Sequence, residues 1–333
     1  MCTLKELITE QKKCIDGITD NQTLDAFSLD YCELLDDSKD EFVIERRKKC
    51  CDELKKMQKV DYDSRIKTAY ESYCEAITYI DLKRLCDICA IHECRQKTPD
   101  FKICSGSECV YVEMKSLSFA DGNMNYKKSQ ESALLANISK EEQIKKGNNI
   151  IWTERVVLPM AKNGHNTILI EQLKILYKKI VQNIKKEQFT NGNTILLIDL
   201  NQLGFGYCAS DYVAIEKSYN GIGFSSGLLW TLAFANEHDK FFVPPEFEGK
   251  PNIEKNPIGF NGILIEYPEL KGLLFAVGRE PDARAFVGFY KYDDQDSNSV
   301  KIIQKVSSFY NDERNSYCFN VNEQFVPVRQ IQL

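Results

Sequence analysis

The residues best suited to chemistry lie in a short stretch that begins at Pro99. Asp100 precedes one apolar run, and Glu113 and Lys115 lie two positions apart in the next. Alternate residues of a strand share one face, so these two side chains would project side by side. Asp100 can reach the same place if the two runs pair as a hairpin. Two carboxylates and an ammonium in this arrangement can hold a divalent cation against a phosphate.

Three elements must position these groups. A Ser-Gly-Ser turn at residues 105–107 predicts the hairpin itself. An apolar stripe predicts a long helix over residues 62–85, before the hairpin. After it, a helix over 167–188 and an apolar run at 194–200 predict a helix followed by a buried strand.

This order of elements resembles the PD-(D/E)xK nuclease superfamily. The similarity covers about residues 62–200: a helix, Pro99-Asp100, a strand and turn, then Glu113-Met114-Lys115, a helix and a strand. The Glu-x-Lys triplet alone is common, whereas the order of elements is much more specific. The resemblance implies a restriction-endonuclease-like α/β fold, a mixed sheet flanked by helices, and metal-dependent cleavage of phosphodiesters.

The resemblance also implies roles for individual residues. Asp100 and Glu113 fall on the metal-binding carboxylates of the family, and the backbone carbonyl of Met114 completes this ligand set. Lys115 falls on the catalytic lysine. The implied ion is Mg²⁺, with Mn²⁺ as a substitute, because a few oxygen ligands and the substrate phosphate suffice to hold it.

Two further positions of the family site stay open in this chain. The auxiliary helix glutamate falls near Glu71 or Glu75, which lie four residues apart on one helix face, and Glu71 is preferred. A surface charge is the competing interpretation of each glutamate. In some branches a later glutamine joins the site, for which Gln172, Gln182 and Gln188 are candidates.

Basic residues near the hairpin suggest the substrate. Lys102, Lys127 and Lys128 could hold a nucleic-acid strand, with binding that weakens steeply as salt rises. DNA is the expected partner, and RNA stays open.

A second cluster has the residue types of a zinc site. Cys86, Cys89, His92 and Cys94 offer four suitable ligands, but they fall within nine residues, whereas zinc sites usually draw ligand pairs from separated segments. The favoured interpretation is a helix end that carries small buried thiols, so Zn²⁺ is not expected.

The domain organisation follows from these elements. Residues 1–60 are expected to form a helical extension without chemistry of its own. Residues 61–280 would form the nuclease-like domain, with an insertion at about 120–165. Residues 281–333 would form a β-rich extension packed on that domain. Within these regions, the apolar run at residues 300–306 predicts a strand. The apolar runs at 262–267 and 272–277 predict a hairpin.

Composition bounds the remaining possibilities. The 333 residues include 13 cysteines and carry a net charge of −6. An odd cysteine count without a signal-peptide pattern predicts reduced thiols and a cytoplasmic protein. No run of about 18 apolar residues is present, so no membrane span is expected. The absence of a G-x-S-x-G motif gives serine hydrolysis little support.

Three hypotheses follow. The first is a Mg²⁺-dependent DNA nuclease, acting in restriction or phage defence, as a homodimer or with a partner protein of a defence system. The second is an inactive protein of the same fold that acts as a binding or scaffold module. The third is a zinc-stabilised nucleic-acid-binding protein.

Overall fold

The structure is a computed structural model of the chain. It describes residues 2–15, 22–57, 62–91, 98–105, 108–117, 138, 142–147, 169–189, 192–203, 217–219, 222–225, 227–243, 252–278, 280–314, 318–320 and 325–326. In these ranges, no helix has both the length and the apolar character needed to cross a bilayer. The expected insertion at 120–165 falls almost entirely outside them.

The described residues contain α-helices and short 3-10 turns. They are α1 (Leu4–Ile15), α2 (Gln22–Asp25), α3 (Leu29–Asp37), α4 (Glu41–Lys56), α5 (Tyr62–Leu85), α6 (Leu169–Asn183), α7 (Leu228–Phe234), α8 (Ile263–Glu266) and α9 (Asn298–Val306). Short 3-10 turns lie at Lys186–Phe189, Asn201–Leu203 and Tyr292–Asp294.

The strands of the described residues form two sheets. The larger sheet contains β1 (Ile88–Ala90), β2 (Phe101–Ser105), β3 (Glu108–Ser116), β4 (Thr194–Asp199), β9 (Leu270–Val277), β10 (Ala285–Tyr290), β11 (Phe309–Asp312), β12 (Cys318–Asn320) and β13 (Phe325–Val326), in that spatial order. The smaller sheet contains β5 (Lys217–Tyr219), β6 (Ile222–Ser225), β7 (Lys240–Val243) and β8 (Asn252–Pro257).

The larger sheet is mixed. Strands β1, β2 and β3 form an antiparallel meander, and β3, β4 and β9 then run parallel. Strand β10 returns antiparallel to β9, and β11 pairs parallel to β10. Helices pack on both faces, so the predicted class of a mixed α/β sheet flanked by helices is confirmed.

Strand β4 lies in the interior of the larger sheet and has a hydrophobic core on each of its faces. All six of its residues are buried. Ile195 and Leu197 lie in the core formed with α1–α5 and α9, whereas Leu196 and Ile198 lie in the core formed with α6–α8. A parallel strand that is covered on both faces needs such a continuous apolar sequence, and this explains why it could be predicted.

The N-terminal helices share the first of these cores. Buried residues of α1, α3 and α4 belong to the same cluster as those of α5 and of the sheet. The side chain of Tyr31 on α3 donates its hydroxyl to Asp81 on α5, at 2.8 Å from Oδ2. The segment expected as a helical extension is therefore packed directly against the sheet-covering helix.

The strand predicted at residues 300–306 is wrong, because this segment is helix α9. Ser297 caps it by accepting a hydrogen bond from the N–H of Val300. Strands β9 and β10 provide the surface on which it packs, through Gly272 and Gly288. A Cβ at these two positions would lie 2.1 and 2.4 Å from side-chain atoms of Ile303. The β-branched residues suggested a strand, but their spacing also fits one helix face.

The hairpin predicted around Pro268 is also wrong. Residues 263–266 form helix α8, and the following strand β9 pairs parallel to β4, with Leu273 opposite Leu196. The apolar residues Ile263 and Leu264 of α8 pack into the core on the α6 side of the sheet instead of pairing with β9. Short apolar runs of this kind have no periodicity that separates a strand from a buried helical turn.

Asp40 fixes the start of α4 and offers a test of the N-terminal packing. Its carboxylate accepts hydrogen bonds from the N–H groups of Phe42 and Val43 and pairs with Lys83 of α5. These contacts cap the start of α4 and join it to α5. We therefore expect Asp40→Ala to lower the free energy of unfolding by about 1–2 kcal/mol. Urea denaturation measures this loss.

The pH dependence of this contribution has a definite sign. Partial burial raises the pKa of Asp40, but the hydrogen bonds from Lys83, Val43 and Phe42 outweigh it and leave this pKa below its ordinary value. The ionised form therefore adds stability above the unfolded-state pKa, and this is lost as pH falls through the lowered pKa, below about pH 4. Asp40→Asn keeps a capping oxygen, so its stability should converge with that of the wild type in acid. An unchanged difference would contradict this account.

Candidate functional site

The predicted hairpin is present and lies in the larger sheet between the edge strand β1 and strand β4. Strands β2 and β3 pair antiparallel, with Phe101 opposite Val112 and Ser105 opposite Glu108. Asp100 lies just before β2. One oxygen of its carboxylate, Oδ2, accepts a hydrogen bond from the backbone N–H of Met114 at 2.7 Å. Asp100 is therefore held against the Glu-x-Lys segment of the next strand.

Glu113 and Lys115 form an ion pair within that segment, through Oε1 and Nζ. The Glu113 side chain is 1 % exposed and that of Lys115 is 21 % exposed, so the carboxylate is buried and the lysine side chain is partly accessible to solvent. Alternation along β3 places both side chains on one face, as predicted. Burial of a carboxylate is costly unless it is paired, and Lys115 supplies the pairing charge.

The face that carries this pair is the one covered by α6. Val112 and Met114 belong to the core formed with α5, on the other face. Glu113 lies opposite Leu196 of β4, and Lys115 lies opposite Ile198. Leu196 and Ile198 both pack in the core that contains α6.

The candidate glutamates of α5 lie elsewhere. Glu75 pairs with Arg46 of α4 at 2.9 Å. Glu71 is 45 % exposed and lies 4.0 Å from Lys67 on its own helix. Because α5 packs on the face opposite Glu113, neither glutamate is brought to the hairpin cluster by a described contact. Within the described part of the chain, no group of three or more Asp, Glu, His or Cys side chains is arranged to hold a metal ion.

The candidate glutamines and lysines are placed only in part. Gln172 lies in the first turns of α6, on the helix that covers the Glu113 face, but its side chain is outside the described part, as is that of Gln188. Gln182 is exposed near the end of α6. Lys102 is half-buried on β2, opposite Tyr111. Lys127 and Lys128 lie outside the described residues.

Two of the four candidate zinc ligands can be located. Cys86 is buried at the end of α5, where its thiol lies 3.1 Å from the carbonyl oxygen of Leu82. Burial raises the pKa of Cys86 to about 11, which opposes the thiolate that zinc requires. Cys89 is exposed on β1. His92 and Cys94 lie outside the described residues.

One buried polar cluster was not anticipated from the sequence. Arg284, with a side chain that is 1 % exposed, pairs with Asp81 of α5 and with Asp199 at the end of β4, each at 3.0 Å. It also donates to the hydroxyl of Thr78 at 2.8 Å. The one sequence signal was an aspartate closing an otherwise apolar strand. The cluster joins helix α5 to strand β4 through ion pairs, which makes it a structural element of the fold.

Comparison with protein-family models, with curated proteins and with solved structures gives no match to this chain. Function is therefore inferred from the residues and their geometry.

Proposed function

We propose that the chain is a metal-dependent nuclease that cleaves phosphodiester bonds of DNA at the hairpin cluster Asp100, Glu113 and Lys115. The observation that carries the proposal is the convergence of these three residues. The Asp100 carboxylate accepts a hydrogen bond from the backbone N–H of Met114. Met114 is the residue between Glu113 and Lys115, which form the ion pair. Residues separated by more than a dozen positions thus meet at one point of one sheet.

The surrounding elements support the same proposal. Helix α5, the meander β1–β2–β3, helix α6 and the parallel strand β4 follow each other in the order expected for a restriction-endonuclease-like core. Strand β3 pairs parallel to β4, which requires a long crossover connection, and helix α6 lies in this connection. The proposal extends this arrangement to the PD-(D/E)xK superfamily and to a role in defence against foreign DNA in the cytoplasm.

The residues present fit a hard divalent cation. Asp100, Glu113 and the Met114 carbonyl would hold it, since Mg²⁺ prefers oxygen ligands and retains several waters. When bound, such an ion lowers the pKa of a coordinated water and neutralises charge on the phosphoryl oxygens. The buried Glu113 carboxylate pairs with the positive charge of Lys115, so the cluster is one in which an anionic ligand faces a cation.

Lys115 would act on the substrate side of the cluster. Its ammonium is the more exposed member of the pair, so it can reach a phosphate oxygen while it stays next to Glu113. A positive charge held at this position stabilises the charge that develops in the transition state and orients the attacking water. The half-buried Lys102 on the neighbouring strand would add attraction for the phosphate backbone.

A cleavage assay tests the proposal. Plasmid, linear duplex, single-stranded DNA and RNA are incubated with the purified chain in Mg²⁺, in Mn²⁺ and in EDTA. We expect cleavage of at least one DNA substrate with either metal and none in EDTA. A Lys115→Ala variant should lose this cleavage. Lys271→Ala is its matched control, because Lys271 is a partly exposed strand lysine paired with Asp294 away from the hairpin. Cleavage that persists in EDTA would contradict the proposal.

The alternative is an inactive nuclease-fold protein that acts as a binding or scaffold module. It is favoured by the positions of Glu71 and Glu75, whose described contacts are with Lys67 and Arg46 and not with the hairpin. In that case the Glu113–Lys115 pair would be a buried structural ion pair. The two functions differ in calorimetry with Mg²⁺ or Mn²⁺: the module would give no heat of binding that depends on Asp100.

A further inference from the structure

We propose that Cys104 and Cys109 are a redox-modification site, at which a reversible disulfide cross-links β2 to β3. This inference concerns a pair of thiols that the proposed nuclease chemistry does not use, and it stands independently of that function. The two cysteines are direct register partners in the antiparallel hairpin, and their Sγ atoms lie 3.1 Å apart.

The backbone geometry allows the bond to form without a change of register. The N–H of Cys104 donates to Asp87 on the β1 side, and the N–H of Tyr111 donates to Asn193 on the β4 side. Amides of alternate residues point the same way, so Cys104 and Cys109 form a non-hydrogen-bonded pair. Opposed Cα atoms in such pairs lie about 4.5 Å apart. A disulfide accepts Cα separations from about 4.4 Å upward.

The local charges favour reaction at this pair. Lys102 lies two residues before Cys104 on the same face of β2, and its ammonium hydrogen-bonds to Cys109. A positive charge therefore lies beside the two thiols, and the thiolate is the form of a cysteine that attacks a disulfide. The hydrogen bond with Cys109 raises the pKa of Cys104, so the partner thiol is kept protonated until the second step.

Exposure separates this pair from other thiols of the chain. Cys104 and Cys109 are half-buried, whereas Cys50 and Cys74 are fully buried in the core. Cys89 is exposed, but its register partner across β1 and β2 is Lys102, not a cysteine. Among the described cysteines, the hairpin pair thus combines access for a small reagent with a thiol partner in contact.

The reaction needs a small-molecule disulfide as oxidant. The Cys109 thiolate attacks one sulfur of that disulfide, which forms a mixed disulfide and releases one thiolate. Cys104 then gives its proton to solvent, and its sulfur attacks the sulfur of Cys109 and releases the second thiol. The protein loses two electrons and two protons, and the small-molecule disulfide becomes two thiols.

Mass spectrometry of the full chain tests this inference. The reduced protein is equilibrated with a series of ratios of oxidised to reduced glutathione, alkylated and digested with trypsin. Cleavage after Lys102 and Lys115 gives one peptide, residues 103–115, that contains both cysteines. We expect this peptide to be unalkylated and two hydrogens lighter under oxidising conditions, while the peptide with Cys89 carries glutathione.

Two controls make the result decisive. The chain unfolded in urea should need about a tenfold higher oxidised-to-reduced ratio for the same cross-link, because only the fold holds the two sulfurs in contact. Cys104→Ser and Cys109→Ser should each convert the product to a glutathione adduct on the remaining cysteine. Two independent adducts on peptide 103–115 of the folded wild type, or equal cross-linking in urea, would overturn the inference.

Discussion

Replacing Lys115 by methionine should slow cleavage by roughly 10²–10³-fold and also lower the free energy of unfolding by about 3 kcal/mol or more. The stability loss is expected because the buried Glu113 carboxyl would lose the ammonium that now pairs with it. The loss of activity is expected because the same ammonium would stabilise the transition state, a contribution worth roughly 10²–10³-fold in rate. Denaturation by urea and single-turnover cleavage measure the two effects separately.

A double variant separates the structural role of this pair from the catalytic one. Glu113→Gln combined with Lys115→Met removes both charges, so no uncompensated charge remains buried. We expect most of the lost stability to return, because neutral replacement of a buried ion pair is often tolerated. Cleavage should not return. Recovery of both stability and activity would show that the pair is structural only.

The second large effect is expected at Arg284. Arg284→Met would leave Asp81 and Asp199 buried without the guanidinium that pairs with both at 3.0 Å. Removing one partner of a buried ion pair costs about 3–5 kcal/mol, out of a total stability of about 5–15 kcal/mol for a typical domain. We therefore expect a much lower midpoint in urea, or failure to accumulate as folded protein.

The pH dependence of this variant provides a specific signature. Burial already raises the pKa of Asp81 above its ordinary value. Without Arg284 this pKa should rise further, so the folded variant binds protons more tightly than the unfolded chain and regains stability as the pH falls. Arg314→Met is the matched control: Arg314 is 58 % exposed and pairs with Asp293 at 3.5 Å, so a change within about 1 kcal/mol is expected. A similar loss in both variants, or no relief in acid, would contradict the account.

The parts of the fold that could be predicted are those that depend on the local pattern of apolar, polar and turn residues. The alternation around Glu113 and the Ser-Gly-Ser turn predicted the hairpin, and the continuous apolar run from Thr194 predicted β4. Helix α5 has an apolar stripe long enough to exclude a strand. In each case the period of the sequence is enough to identify the element and its buried face.

The parts that could not be predicted depend on partners far along the chain. Helix α9 packs on Gly272 and Gly288, and nothing within residues 298–306 indicates this surface. The partners of Arg284 come from two other segments, around residues 80 and 199, so no spacing rule joins them. The position of Glu75 is similar, since its ion pair with Arg46 follows from how α4 packs on α5.

The most direct test of the proposed nuclease centre is the cleavage rate of Asp100→Asn at saturating Mg²⁺. An asparagine oxygen can still accept the hydrogen bond from Met114, which Asp100 now accepts at 2.7 Å, so the hairpin should be kept while one negative charge is removed. Asp294→Asn, at the ion pair with Lys271, is the matched control. We expect cleavage by Asp100→Asn to fall by about a hundredfold or more with an unchanged urea midpoint, and cleavage by Asp294→Asn not to fall. A folded Asp100→Asn variant that cleaves at the wild-type rate would contradict it.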